Sequence, residues 1–273
     1  MSFGVERISA KFAALKKEGR AGFIAYIMAG DPDIETTAKI LDGLPGAGVD
    51  LIELGFPFSD PMADGPTIQR AGLRALSNKM TLTKTLELAK GFRAKHPDTP
   101  LILMGYLNPI DTMGLEAFAK KARESGVDGA LIVDAPPEED GDLRTALENE
   151  GLTLIRMAAP TSDDSRLRRI LSGAKGFLYY VSVTGVTGVK AVASDAAGAA
   201  VQRVRALSDI PAAVGFGVRT EEQAASVAKA ADAVVVGSAI VDAIELAKTP
   251  DQAIADALAL TAKLAGAAHA ARK

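Results

Sequence analysis

Eight apolar runs of strand length, each followed by a loop or a stretch of helical pattern, constrain this chain more than any other feature. They span residues 22–29, 49–55, 100–106, 129–134, 153–160, 176–183, 211–217 and 233–240. Their hydrophobicity is near-continuous rather than alternating, which marks strands buried on both faces, as in a parallel sheet. Helical patterns lie between them, for example at 36–44, 115–125, 164–171 and 221–230. Acidic or hydroxylated residues open several of these and glycine closes others. Eight strands alternating with helices predict an α/β fold, a (β/α)8 TIM barrel. The 273 residues suit one such barrel, typically about 250 residues long. A doubly wound open sheet competes, but eight units with no break in composition favour closure into one domain over 1–273. Val5, Ile8, Phe12 and Leu15 have helical spacing and predict an extra N-terminal helix across the bottom of the barrel. From Ala253 the chain reads as an Ala-rich final helix that frays into a tail.

What the chain lacks narrows the chemistry. It has no cysteine, so disulfides and thiolate metal sites are excluded. The net charge of −3 gives no general attraction for nucleic acid or anionic membrane. The first residues lack the apolar core of a signal peptide and no unbroken apolar stretch reaches spanning length, which predicts a cytoplasmic protein. His96 precedes Pro97 in a helix-to-strand turn and His269 lies near the end of the chain, so both are expected to be solvated. Neither follows a strand, where barrel enzymes keep their chemistry, so a His-ligated metal or a Ser-His triad is disfavoured. No proposed strand contains lysine, which weakens a Schiff-base mechanism but leaves a loop residue such as Lys190 open.

Acid–base work therefore falls to carboxylates. The segment LIELGFPFSDPMADGPT, residues 51–67, places Glu53 inside an apolar strand and Asp60 and Asp64 on the following loop. A carboxylate in a buried strand is costly unless it is paired, neutral or catalytic. Asp60 serves equally well as a turn cap, and three carboxylates so close could also hold Mg²⁺ through oxygen. Glycine pairs follow the last three runs, at 185–188, 215–217 and 237–238. Barrel enzymes often hold phosphate on backbone N–H groups after the last strands, beside a helix N-terminus. This pattern predicts a phosphorylated substrate. Tyr179 and Tyr180 are consecutive, so one faces the barrel interior and the other the helices.

The segment ELGFPFSDPMADGPTIQ, residues 53–69, resembles the signature of the tryptophan synthase alpha subunit family. GDPD at 30–33, GVTG at 185–188, GFGV at 215–218 and GSAIV at 237–241 match it in order. The resemblance implies a (β/α)8 lyase that cleaves indole-3-glycerol phosphate to indole and glyceraldehyde 3-phosphate. It implies no cofactor and no metal in this chain, and a beta-subunit partner carrying pyridoxal phosphate in an α2β2 heterotetramer. Carried over by position, Glu53 and Asp64 are the catalytic pair, Tyr179 lines the site, and Thr187 belongs to a loop that positions Asp64. Gly188, Gly217, Gly237 and Ser238 fall where the family binds phosphate, and Pro57 and Asp60 on a loop facing the beta subunit. Val183 stands where some relatives have arginine, and Tyr26 where they have phenylalanine.

That resemblance implies a chemistry needing neither histidine nor lysine, because the indole itself accepts the electrons of the breaking bond once C3 is protonated. Two other classes stay open on the residues alone: another phosphate-binding barrel enzyme, such as an isomerase or sugar-phosphate aldolase, and a non-catalytic binding subunit.

Overall fold

The computed structural model of the chain describes residues 2–181, 190–215 and 217–272, with residues 190–197 described by backbone alone. In chain order it begins α1 (Val5–Glu18), β1 (Gly22–Met28), α2 (Ile34–Gly43), β2 (Leu51–Gly55), α3 (Pro66–Ser77), α4 (Leu82–Lys95), β3 (Leu101–Gly105), α5 (Leu107–Met113), α6 (Leu115–Glu124) and β4 (Gly129–Ile132). It continues through α7 (Gly141–Asn149), β5 (Thr153–Leu154), β6 (Arg156–Ala158), α8 (Asp164–Leu171), β7 (Leu178–Val181), α9 (Lys190–Arg205), β8 (Ala212–Gly215), α10 (Glu221–Ala230), β9 (Ala233–Val236), α11 (Ser238–Leu246) and α12 (Pro250–Ala270).

All strand pairings are parallel, and the order is β5-β4-β3-β2-β1-β9-β8-β7-β6. The two ends of that order, β5 and β6, are pieces of one run interrupted at Ile155, whose N–H still donates to Ala130 O at 2.7 Å. β5 pairs with β4 and β6 pairs with β7, so this single run joins the sheet to itself. The nine segments are thus the eight expected strands of a (β/α)8 barrel.

Period-two alternation sorts the strand side chains into two cores. Phe23, Ala25, Ile27, Ile52, Leu54, Leu101 and Leu103 face the surrounding helices. Ile24, Leu51, Ile102, Leu131, Ile155, Phe177 and Ala213 face inward and form one layer at the bottom. Ile8, Phe12 and Leu15 of α1 pack into that layer, with the Phe12 and Phe177 rings 5.6 Å apart. The N-terminal helix is therefore the floor of the barrel, as its spacing implies; Val5 alone of the four is only half-buried.

Several expected boundaries shift for local reasons. Side chains of Asp33, Thr81, Asp163, Thr220 and Thr249 accept N–H groups at the starts of their helices. Thr249 starts the last helix at Pro250, ahead of Ala253, and that helix stays intact through Ala270. The last apolar run stops as a strand at Val236 and turns into α11 at Ser238. The long interval between the second and third runs holds two helices, α3 and α4.

Histidine requires a correction. His269 is half-buried and paired rather than free in solvent: its Nε2–H donates to Asp50 Oδ2 at 2.9 Å, tying α12 to the entry of β2. Arg20 grips both oxygens of the same carboxylate at 2.9 Å, and Phe23 N donates to it at 2.9 Å. His96 stacks on Phe92 at 4.7 Å and approaches Asp42 at 3.6 Å. Burial alone would raise the Asp50 carboxyl, but the hydrogen bonds from His269, Arg20 and the backbone outweigh it and hold the group at about 2. A depressed carboxyl contributes stability above its unfolded value and loses it as the pH falls towards the folded one. Between pH 5 and pH 2, Asp50→Asn should therefore lose on the order of 2 kcal/mol less stability than the parent chain. Urea denaturation at stepped pH reads this difference, and parallel curves would remove the carboxylate from the account.

Candidate active site

The inward positions one step above the barrel floor are Tyr26 over Ile24, Glu53 over Leu51, Tyr179 over Phe177 and Gly215 over Ala213. Tyr26 and Glu53 are register partners across β1 and β2. Tyr179 faces in and Tyr180 packs outward, as consecutive strand residues must. Glycines on the neighbouring strands make room for these rings. A Cβ on Gly55 would strike the Tyr26 hydroxyl, one on Gly215 would lie 2.8 Å from the Tyr179 hydroxyl, and one on Gly237 would meet the Tyr26 Cβ at 3.2 Å.

Glu53 is fully buried, and among the described residues neither of its carboxyl oxygens has a hydrogen-bond partner. No hydrogen bond among the described residues offsets the loss of water there, so desolvation alone acts on its ionisation. Burial pushes its pKa up to about 8. The ion pair that a buried glutamate ordinarily needs is absent among the described residues, so this side chain is held protonated near neutral pH.

Asp64 stands at the other edge of the space, on the loop between β2 and α3, and is half-buried. The loop is pinned by Tyr106, the residue after β3, whose hydroxyl accepts Ala63 N–H at 3.0 Å and bonds the Asp64 carboxyl. Phe58 packs on the Tyr106 ring at 5.3 Å. Gln69 Nε2 donates to Asp64 O at 2.9 Å from the first turns of α3. Burial raises the Asp64 carboxyl to about 6, with the Tyr106 hydrogen bond working against it. Burial and the nearby Asp64 charge lift the Tyr106 phenol to about 12, so it stays a proton donor to that carboxylate. Tyr106 escaped the sequence reading, although its place at the end of the third apolar run was a usable signal.

The structure thus brings Glu53, Asp64 and Tyr179 to one end of the barrel, with Tyr26 and Tyr106 beside them. Burial first, then the charges of Asp64 and Glu53, raises Tyr26; burial and Glu53 raise Tyr179. Gly217 has φ +60, and a Cβ there would meet nothing within 4 Å. Gly237 and Ser238 open α11, where no side-chain hydrogen bond caps the first turn. Thr187 and Gly188, like Val183, lie outside the described residues. Asp60 is exposed and accepts from Ser59 Oγ, whereas Pro57 is buried. Among the described residues no group of three or more His, Asp or Glu is arranged to hold a metal ion.

Comparison with known proteins addresses the same residues as a whole. The family model described as "Tryptophan synthase alpha chain" matches residues 12–269. The tryptophan synthase alpha chain of Caulobacter sp. (strain K31) is 58% identical over 268 residues, covering 98% of both chains. That of Zymomonas mobilis is 55% identical over 248 residues, covering 91% of this chain and 90% of its own. The chain belongs to the tryptophan synthase alpha chain family. A crystal structure of the Legionella pneumophila alpha subunit superposes with a TM-score of 0.87 at 39% identity, covering 96% of this chain and 97% of its own. A ligand-free tryptophan synthase structure from M. tuberculosis gives 0.87 at 34% identity, covering 96% of this chain and 99% of its own. Membership carries the reaction with it. The chain is a carbon–carbon lyase of tryptophan biosynthesis that takes indole-3-glycerol phosphate to indole and glyceraldehyde 3-phosphate.

The Glu53 environment has a measurable consequence. A carboxyl raised in the folded state costs stability progressively as the pH climbs from its unfolded value, near 4.5, to the folded value of about 8. Glu53→Gln should therefore gain stability relative to the parent chain across that window by several kcal/mol, at about 1.4 kcal/mol for each pH unit, and the difference should level off above it. A pH-independent difference in denaturation midpoint would mean that Glu53 is ionised and paired.

Proposed function

We propose that Glu53 and Asp64 divide the alpha reaction between them, Glu53 moving the proton and Asp64 answering the charge. The observation that carries this reading is the buried, unpartnered Glu53 carboxyl beside a loop aspartate of lower pKa. Two carboxyls whose surroundings push their pKa values apart suit acid and anion roles in one site. Near neutral pH Glu53 is protonated and gives its proton to indole C3. The resulting indolenine is the electron sink. As a carboxylate, Glu53 then takes the proton of the glycerol hydroxyl next to the ring. The carbon–carbon bond breaks, its electron pair returns to the indole, and the hydroxyl carbon leaves as the aldehyde of glyceraldehyde 3-phosphate. Asp64, ionised at the same pH, faces the indole N–H, where positive charge gathers. Tyr179 and Tyr26 wall the ring site. No metal or cofactor of this chain enters the scheme.

The phosphate falls to Gly217, Gly237 and Ser238, together with Gly188. Uncapped first-turn N–H groups at the α11 start point outward for an anion. The open, left-handed Gly217 lets the backbone approach it. The family resemblance assigns to Thr187 the part of positioning Asp64.

An alpha chain implies a beta-subunit partner, and pyridoxal phosphate belongs to that partner. The α2β2 arrangement and a cytoplasmic location are part of the same proposal; no helix among the described residues is long and apolar enough to cross a membrane. Asp60 and the 84% exposed Met62 offer the contact surface, and the buried Pro57 shapes the loop behind them.

Two measurements test this reading. With kcat/KM followed by indole release, activity should fall above pH 8 as Glu53 loses its proton and below pH 6 as Asp64 gains one. Glu53→Gln should lose at least the 10²–10⁴-fold typical of general acid–base catalysis, roughly, and Asp64→Asn should lack the acidic limb. Glu53→Gln within about tenfold of the parent, short of that typical contribution, would end the assignment. Titrating the cognate beta subunit should raise kcat as the loop carrying Asp60 and Asp64 is covered. A flat response with no complex by light scattering would end the partner proposal alone.

A further inference from the structure

Asp242 lies one turn into α11, four residues after Ser238, and both of its oxygens are engaged. Oδ1 accepts the Thr67 hydroxyl at 2.9 Å, and Oδ2 meets Arg219 Nη1 at 2.7 Å. Thr67 is the second residue of α3, three residues after Asp64. Arg219 follows Gly217 by two residues. One carboxylate on the helix assigned to the phosphate therefore holds both the loop after β8 assigned to the phosphate and the first turn of the helix that follows Asp64.

The remaining contacts between α3 and α11 do a different task. Arg70 and Arg74 both pair with Glu245, at 2.8 and 2.9 Å, and Arg74 also pairs with Asp31 at 2.6 Å. Arg70 reaches Asp242 only at 3.7 Å. Those pairs fasten the two helices one or two turns further along, so docking does not depend on Asp242. Asp242 is left to set the first turn of α3 against the loop at 217–219. The backbone start of α3 has no side-chain cap of its own at Gly65, which makes the Thr67 contact the more important there.

We infer that Asp242 is a positioning residue that fixes the spacing between the phosphate end of the substrate site and Asp64, acting through Thr67 on one arm and Arg219 on the other. The inference rests on the assignment of phosphate and Asp64 above. Its physical basis is orientation: a substrate held at its phosphate reacts only if the group answering its ring is at a set distance, and small displacements cost rate steeply. The two arms touch different ends of the substrate, so they should fail differently. Loss of the Thr67 arm loosens Asp64 and should lower kcat with KM little changed. Loss of the Arg219 arm loosens the phosphate loop and should raise KM with kcat little changed.

The test compares Thr67→Val, Arg219→Gln, Asp242→Ala and the double variant Thr67→Val/Asp242→Ala, each assayed for indole release in complex with the cognate beta subunit. The expected losses are about tenfold in kcat for Thr67→Val and about tenfold in KM for Arg219→Gln, within the range of coupled neighbours. Asp242→Ala should show both, and the double variant should be no worse than Asp242→Ala in kcat. Melting temperatures should stay close to the parent, because the Glu245 pairs keep α3 and α11 together. Parent-like kinetics in Asp242→Ala, or additive kcat losses in the double variant, would overturn the inference. Should Asp242→Ala fold poorly, Asp242→Asn keeps an acceptor for Thr67 and gives up the charge facing Arg219. It should then raise KM alone, and a loss confined to kcat would overturn the inference. Glu53→Gln runs alongside as the control on the site itself. Its inactivity with parent-like Asp242→Ala overturns the spacing role only, whereas an active Glu53→Gln overturns the site assignment beneath it.

Discussion

A closed parallel barrel commits nearly every strand N–H and C=O to its ladder, so any polar side chain pointing inward must find its partner elsewhere or go without. Glu53 goes without among the described residues. Its position follows from alternation: Leu51 takes the floor layer, and the next inward residue of β2 lands in the space above it. Beneath it, Ile8, Phe12 and Leu15 of α1 pack into the floor layer, and Glu53 is fully buried above. Fold and chemistry meet in this one side chain.

Glycine has two separate functions around it. Gly55, Gly215 and Gly237 lie against tyrosine rings that a Cβ would displace, so their smallness serves packing of Tyr26 and Tyr179. Gly217 is different: it has a left-handed backbone and open space above it. The sequence pattern groups Gly215, Gly217 and Gly237 together as phosphate glycines, whereas Gly55 reads only as the end of a strand. Contact geometry separates Gly55 and Gly215, which admit an aromatic wall, from Gly217, which has the open space the proposed phosphate needs; Gly237 meets Tyr26 and also begins α11.

The strands were legible because burial on both faces leaves an uninterrupted apolar run, and their ends were legible to within a few residues. The break at Ile155 was not, since it is a lapse in ladder geometry inside a continuous apolar run. Glu53 was legible as a carboxylate in an apolar strand. Tyr106 was not, because a tyrosine ending an apolar run is ordinary core until its hydroxyl is seen on Ala63 and Asp64. His269 misled for a related reason. Its partner Asp50 lies 219 positions away, and nothing local to the tail announces the pairing.

The two carboxyls also differ in what holds them. Glu53 rises from the middle of a strand paired on both sides, so its place is set by the barrel as a whole. Asp64 rises from a loop fixed at a few points, through Tyr106, Gln69 and the first turn of α3. A proton donor acting on a carbon needs a constant position and a dry setting, and a buried strand supplies both. An anion answering a charge that appears only during the reaction can come from a segment that closes over the substrate. In the proposed scheme the proton-moving group therefore sits in the strand and the charge-answering group on the loop. The partner surface proposed at Asp60 and Met62 continues from that same loop, so a subunit seated there would act first on Asp64. Glu53, anchored in β2, is expected to keep its raised pKa whether or not the loop is covered.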